Sequence, residues 1–554
     1  MNIDQQIAEL TSQFKVLDVI NCDDYLPTSV DLYSHIKKLH KDAFESNERI
    51  VFLITKDYYK NDLLCGVMLQ SIQAIINDID ISNYFVCIVT NNPKIKTEYQ
   101  WVLDNISTDK ISVHINECSG EYHRLDDANQ VAYIKYQKIE NTDLVDSLTE
   151  KHKKLLFESD SFCMIPWTSI MIDPSSIVKP CCVSTEVLGD CSKNSLEQIW
   201  NSDATKQLRK NMLSGKKSKS CESCYTIENL GRDTLRKGIN RRFINQVDKI
   251  ECTEDDGFLK NYSLNYIDAR FNNLCNLSCR SCAPNSSSSW YQPAVAIGQL
   301  DKSVKALRVA GKHTHDIFDQ LIQHIDSIEC IYFAGGEPMM IDQFYQLVEE
   351  LDRCGRHDVE LIYNINMTKS SLRGKSIFDT WKNFKKISIG ASLDGEYQRG
   401  EYLRTGQNWN DVVDFRKEML TNRPDIDFYI SATTSILNAL HLPDFHRSWV
   451  DQGLINPEDF NIQILFGPEY LRVDRAPLYL KNLIKEKYYI HLEWLRPRDS
   501  VGRAVYGFES ILKYLDNNAE FNAVEFWNKI NPLDHYYGHN LILTFPELAN
   551  LPVE

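Results

Sequence analysis

Between residues 261 and 480 short apolar runs alternate with amphipathic stretches, and this alternation restricts the fold more than any other feature of the 554-residue chain. The runs are S-L-N-Y-I-D-A-R-F (263–271), E-C-I-Y-F-A (329–334), V-E-L-I-Y-N-I-N (359–366), K-I-S-I-G-A-S-L (386–393), D-F-Y-I-S-A-T-T (427–434) and N-I-Q-I-L-F (461–466). Each is short enough for a strand and is bounded by loop-forming residues. Helix-spaced apolar residues intervene, for example over 315–327, 342–353 and 411–420. Strand–helix alternation implies parallel strands joined by right-handed crossovers. Six such units predict a partial (β/α)6, TIM-like barrel. In these architectures reactive groups gather on the loops after the strand C-termini.

The loop after the first run carries F-N-N-L-C-N-L-S-C-R-S-C, with Cys275, Cys279 and Cys282. Three soft thiolates at this spacing can hold an iron–sulfur cluster but leave one iron without a protein ligand. An open metal position is where chemistry happens. A zinc site would want a fourth Cys or His, and the local sequence offers none. After the second run comes Gly335-Gly336-Glu337-Pro338. Two glycines let backbone approach a ligand closely, and a carboxylate suits an ammonium partner. The plainer reading is a tight turn with a solvated glutamate.

Taken together, C-x3-C-x2-C after a strand and G-G-E-P after the next resemble the radical S-adenosylmethionine (radical SAM) superfamily. The resemblance implies a 4Fe–4S cluster on Cys275, Cys279 and Cys282 with an open iron site, and it implies that Gly335, Gly336, Glu337 and Pro338 hold the SAM amino group. Asn366, at the end of the third run, falls where relatives place a polar residue near the site. Ser392-Leu393-Asp394 resembles the family's ribose-contacting segment, and Arg404, in Y-L-R-T-G, matches a position that contacts the SAM carboxylate. Ser431 and Asn438 are further candidates, and no residue is assigned to the substrate's own chemistry. The activity implied is reductive cleavage of SAM to a 5′-deoxyadenosyl radical that abstracts hydrogen, with electrons from a flavodoxin or ferredoxin.

A second block holds Cys163, Cys181, Cys182, Cys191, Cys221 and Cys224. A cysteine, a hairpin ending in P-C-C, the stretch S-L-E-Q-I-W and a closing C-x2-C resemble the SPASM/Twitch auxiliary-cluster domains. Cys163, Cys181, Cys221 and Cys224 make one full ligand set, with Cys182 or Cys191 as alternatives to Cys181. Six thiols fall short of the eight that two clusters need, and a zinc ribbon fits the final C-x2-C equally well on spacing. In relatives such a domain usually follows the radical SAM core, whereas here it precedes it.

The length implies several domains. The expectation is an α/β domain of unread role at 1–150, the cysteine-rich domain at 151–240, the partial barrel at 261–480 and a helical extension at 481–554. In the first, runs at 49–55, 83–89 and 110–115 read as strands and 63–79 as a helix, without a Gly-rich phosphate loop. A net charge of −16 argues against general binding to nucleic acid or anionic membrane. With no signal-like N-terminus and no apolar run near the roughly 20 residues a membrane span needs, a cytoplasmic location is expected. Sixteen cysteines in a reducing compartment point to metal binding. The other cysteines read as small buried hydrophobes, and His313 and His315 as a solvated helix start. A peptide or protein is the expected substrate. A small molecule such as a nucleotide or sugar, and a non-catalytic zinc scaffold, are the alternatives.

Overall fold

The computed structural model describes residues 16–21, 49–54, 84–90, 111–115, 145, 147–229, 234–313, 315–517 and 519–553. The chain divides into two compact units, Met1–Leu125 and Asp126–Glu554. In the first, β1 (Val16–Asn21), β2 (Arg49–Ile54), β3 (Tyr84–Thr90) and β4 (Ile111–Ile115) form a parallel sheet in sequence order. β1, V-L-D-V-I-N, goes unseen in the apolar pattern because Asp18 interrupts it. The helix expected over 63–79 lies outside the described residues.

The second unit is built on a nine-stranded sheet. Six parallel strands stand side by side in sequence order: β8 (Tyr266–Ala269), β9 (Cys330–Phe333), β10 (Glu360–Ile365), β11 (Ile387–Ala391), β12 (Asp427–Thr434) and β13 (Phe460–Ile464). All six fall on the expected runs. The cysteine-rich block extends the same sheet: β5 (Ser169–Ile172) pairs parallel with β8, and β6 (Ile177–Lys179) and β7 (Gly189–Asp190) continue antiparallel from it. Among the described residues β13 and β7 are the free ends of the order, so the sheet is open.

Register sorts the six strands into two unlike faces, because alternate residues of a strand share a side. One face carries Ile267, Ile331, Phe333, Leu361, Tyr363, Ile389, Phe428 and Ile462, all buried. Crossover helices cover it. Phe344 of α2 (Asp342–Arg353) meets Phe333 edge-on, and Trp381 of α3 (Ile377–Trp381) meets Tyr363. The Arg416 guanidinium of α4 (Trp409–Asn422) lies 3.8 Å from the Phe428 ring centre, and Phe445 of α5 (Leu442–Asp451) packs on Phe460. α2 forms where expected because Phe344, Leu347, Val348 and Leu351 fall on one buried stripe, and Gly355 at φ 71° turns the chain after it. Removing the Phe344 ring would cost about 3–5 kcal/mol.

The opposite face carries Asp268, Tyr332, Glu360, Asn364, Ser388, Tyr429, Ser431 and Asn461. A buried sheet face this polar is built to meet polar groups rather than a helix. At its lower end α1 (Leu235–Arg242) lies close: both terminal nitrogens of Arg242 donate to Glu360 Oε2 at 2.8 Å. The helix expected over 315–327 is shorter, with an α-helix at Asp316–Leu321 and a tighter turn at Ile322–His324. The chain ends in α6 (Leu478–Leu495), α7 (Arg503–Leu515) and α8 (Ala523–Tyr537). Among the described residues no helix is long and apolar enough to cross a membrane.

Candidate functional site

The loop after β8 is held in shape by its own side chains. Ser278–Cys279 pairs antiparallel with Arg404–Thr405, tying the cysteine run to the segment after β11. Trp290 Nε1 donates to the Cys279 carbonyl at 2.9 Å, and the hydroxyls of Ser289 and Ser287 donate to the carbonyls of Cys275 and Leu277 at 2.7 and 2.6 Å. Asn273 Nδ2 donates to the carbonyls of Pro284 and Ala306 at 3.0 Å. Cys279 is buried, and Cys275 and Cys282 are partly so. Burial pushes all three thiols up, Cys275 to about 11 with nearby Glu337 adding to the shift. Arg404 partly offsets the effect at Cys279. A bound soft cation reverses that preference, since a coordinating thiol is deprotonated outright.

The G-G-E-P turn after β9 presses against this loop. Gly335 and Gly336 have φ of 84° and 49°, in the left-handed region. A Cβ on Gly336 would stand 2.2 Å from the Leu274 carbonyl oxygen, and one on Gly335 2.6 Å from Arg270 Cβ. The Glu337 N–H donates to the Leu274 carbonyl at 2.7 Å. Glycine is therefore required here for contact between two loops, and Leu274 immediately precedes Cys275. The Glu337 side chain is 1% exposed. Its Oε1 accepts the Met339 N–H at 3.1 Å and its Oε2 the Asn366 N–H at 2.8 Å. Burial lifts this carboxyl to about 7. The carboxylate fastens the turn to the end of β10. Pro338 begins the short helical turn that follows.

The remaining expected residues gather around the same loops. Asn366 Nδ2 donates to Asn276 Oδ1 at 2.9 Å, and Asn366 Oδ1 accepts from the Thr368 hydroxyl at 2.6 Å. Asn276, between two of the cysteines, is thereby tied to the end of β10. The Ser392 N–H donates to the Ile365 carbonyl, continuing the β10–β11 ladder. Asp394 is nearly fully buried: Oδ1 accepts Arg404 Nη2 at 3.0 Å and the Thr433 N–H at 2.8 Å. Arg404 Nη1 donates to Cys279 Sγ at 3.8 Å. Asn438 holds the carbonyls of Asp394 and Thr433 through Nδ2, so it shapes the loop. Ser431 sits buried on the polar face of β12.

In the cysteine-rich block, Cys163, Cys181, Cys221 and Cys224 line one small pocket together with Ile165, Leu235 and Arg236. Local sequence brings them there. Cys181 follows the β5–β6 hairpin, whose turn is set by Asp173 Oδ1 accepting the N–H groups of Ser175 and Ile177. A capping box between Ser195 and Gln198 starts the helix Leu196–Trp200, which buries Leu196, Ile199 and Trp200. Cys182 and Cys191 are placed elsewhere. The Cys182 thiol faces Asp268 and Arg270, and the Cys191 thiol meets Ser176 and the Gly311 backbone. Burial raises all four pocket thiols, Cys224 to about 12. Arg236 supplies a buried cation at the wall. It donates to the carbonyls of Ser159 and Phe162 and is paired with Glu228.

Among the described residues no three His, Cys, Asp or Glu side chains converge tightly enough for one metal ion. A tetrahedral zinc with bonds of about 2.3 Å needs sulfurs about 3.8 Å apart. The ligands of a cluster, by contrast, bind different irons. Sequence reasoning also missed Arg280, which lies between two of the cysteines and pairs with Asp534. The partners stand 254 positions apart, so no local signal could find the pair.

Residues 163–225 match the SPASM family, an iron–sulfur cluster-binding domain. The matched span begins at Cys163 and takes in all four pocket thiols. No curated protein matches the chain. Among solved structures, the chain is similar to native anSMEcpe with bound AdoMet, at 16% identity over 41% of this chain and 58% of that one, TM-score 0.29. It is similar to TYW1 with a lysine–pyruvate adduct, at 10% identity over 41% and 70%, TM-score 0.24. A third is OxsB, a cobalamin-dependent S-adenosylmethionine radical enzyme with aqua-cobalamin and S-adenosylmethionine bound, at 11% identity over 96% and 60%, TM-score 0.24. The chain spans 56–60% of the length of the anSMEcpe structures it matches. At such scores the likeness transfers neither substrate nor cofactor.

Proposed function

We propose that this chain is a radical SAM enzyme whose SPASM-like block carries an auxiliary iron–sulfur cluster. The observation that carries the reading is the apposition of two loops, with the Gly335–Gly336 turn resting on the backbone that leads into Cys275. A three-thiol loop and a glycine cradle side by side suit a cluster with an open iron and a small ligand over it. Cys275, Cys279 and Cys282 would hold the 4Fe–4S cluster, and Cys163, Cys181, Cys221 and Cys224 the auxiliary one. When bound, the cluster and SAM supply a one-electron cleavage that yields a 5′-deoxyadenosyl radical able to take hydrogen from an unactivated carbon.

The chain's own residues do the positioning. The turn from Gly335 to Pro338 offers backbone at close range, and Glu337 locks that turn to β10. Arg404 places a buried cation beside Cys279 for a carboxylate, with Asp394 fixing its direction. Asn366 and Ser392 line the strand ends between them. The polar sheet face below is roomier in hydrogen-bonding capacity than the protein itself uses: Asn461 Oδ1 and Gln463 Nε2 are buried with no hydrogen-bond partner among the described residues. Buried amides left open suit a substrate that brings its own amides. We take that substrate to be a peptide or protein, the barrel-like core to be the site of hydrogen abstraction, and a cytoplasmic flavodoxin or ferredoxin to be the electron source.

Metal and sulfide analysis of anaerobically purified protein tests this reading. It predicts about eight irons and eight sulfides per chain. Zinc without sulfide would contradict it and support a scaffold instead.

A further inference from the structure

The cysteine loop is gripped from the far end of the chain. Arg280, adjacent to Cys279, is 2% exposed. Its Nη2 donates to Asp534 Oδ1 at 2.7 Å and to His539 Nδ1 at 3.1 Å. Its guanidinium lies 4.2 Å from the ring centre of Tyr402, whose hydroxyl donates to the same Asp534 oxygen at 2.7 Å. Two more contacts come from the same helix end. The Tyr537 hydroxyl donates to Ser278 Oγ at 2.7 Å. Leu533 and Tyr537 join Trp290 and Ala294 in a small apolar cluster that includes Cys282. So Ser278 and Arg280 are each hydrogen-bonded by α8 or the residues just after it, and Cys282 packs against the apolar cluster that Leu533 joins. Asp534 Oδ2 also accepts the Leu541 N–H at 2.8 Å, which anchors the carboxylate from behind.

We infer that the segment from Leu533 to His539 is a clamp on the cluster loop, and that Asp534 is a positioning residue for Cys279, acting through Arg280. The inference rests on the radical SAM reading of that loop. An arginine stays charged in any protein environment. One buried beside a cluster ligand needs a fixed counter-charge, or it pulls the loop toward water. Asp534 provides it, and the apolar contacts of Leu533 and Tyr537 close the same loop from the side. The clamp thus sets both how firmly the loop retains iron and the charge that the cluster feels.

The test uses the full chain in two backgrounds, each left with one cluster: Cys163→Ala/Cys221→Ala, and Cys275→Ala/Cys279→Ala/Cys282→Ala. In the first, Asp534→Ala should speed iron loss to a chelator at least about tenfold. In the second it should leave the rate unchanged. Asp534→Asn keeps an acceptor but not the charge, so the Cys275 cluster's midpoint potential should move positive while the auxiliary potential stays put. Tyr537→Phe should speed iron loss from the first background alone. Equal acceleration in both backgrounds, or no acceleration in either, overturns the clamp, as does an unmoved potential in Asp534→Asn. If the first background binds no iron even with Asp534 intact, the radical SAM reading falls and the clamp with it. If iron binds there and the variants behave like the parent, the clamp alone falls.

Discussion

Arg404 and Asp394 form a buried ion pair: Nη2 donates to Oδ1 at 3.0 Å, and Nε stands 3.0 Å from Oδ2. The same guanidinium reaches Cys279 Sγ, so the pair links the cysteine loop to the ends of β11 and β12. Removing one partner of a buried pair strands the other charge. Asp394→Ala should therefore destabilise the apo chain by about 3–5 kcal/mol. Asp394→Asn, which can still accept the Thr433 N–H, should lose less. Urea midpoints of the two variants check the order.

Gly336 has both a left-handed φ and no room for a side chain. Gly336→Ala must push the turn off the Leu274 carbonyl. The strain is about 1–3 kcal/mol before any clash is counted. Iron at the Cys275 site should fall sharply while the auxiliary site, on other elements, keeps its iron. Iron analysis after reconstitution, set beside the thermal midpoint, separates this local effect from unfolding.

The pocket selects among six thiols. Alanine at Cys163, Cys181, Cys221 or Cys224 should each remove the auxiliary cluster's absorbance. Alanine at Cys182 or Cys191 should leave it in place, because those thiols face Asp268 and Ser176 instead. A cluster lost in Cys182→Ala but kept in Cys181→Ala would reverse the ligand choice.

A buried histidine pair predicts acid sensitivity. His446 Nε2 donates to the Pro457 carbonyl at 2.9 Å, leaving Nδ1 to accept from His491 Nε2 at 3.0 Å. His491 Nδ1 then accepts Arg447 Nε at 3.2 Å. This chain of bonds is complete only with both rings neutral. Burial pushes His446 down to about 3 and His491 down to about 2, with the neighbouring cations adding to the shift. Folded values below the ordinary 6.5 mean that the unfolded chain takes up protons first. Stability is thus full above pH 6.5 and falls as pH drops from there toward about 3. Between pH 7 and pH 5 the pair should account for a loss on the order of 4 kcal/mol. In His446→Gln/His491→Gln that part of the pH slope of the urea midpoint should vanish.

The six core strands were legible because each is a short run with buried neighbours on both sides; β12 matches its run at both ends. The four pocket thiols were legible because Cys181 ends a hairpin and Cys221 and Cys224 stand three apart, both local features. Three things were not. The docking of β5 on β8 is a pairing across about a hundred residues with no side-chain signature. Arg242–Glu360 and Arg280–Asp534 each join distant elements, and a charged residue looks the same in sequence whether solvated or buried. The role of Glu337 was hidden as well, since two backbone N–H groups, one of them from the distant Asn366, occupy a carboxylate that sequence alone offers to a ligand.

In the proposed function the loop of Cys275, Cys279 and Cys282 and the turn at Gly335 form one SAM-cleaving site. The most direct measurement is 5′-deoxyadenosine formation by the reconstituted, dithionite-reduced protein supplied with SAM under anaerobic conditions. The parent chain should give 5′-deoxyadenosine and methionine in equal amounts, and Cys279→Ala none above background. A parent chain with full iron and sulfide that makes no 5′-deoxyadenosine would contradict the proposed function.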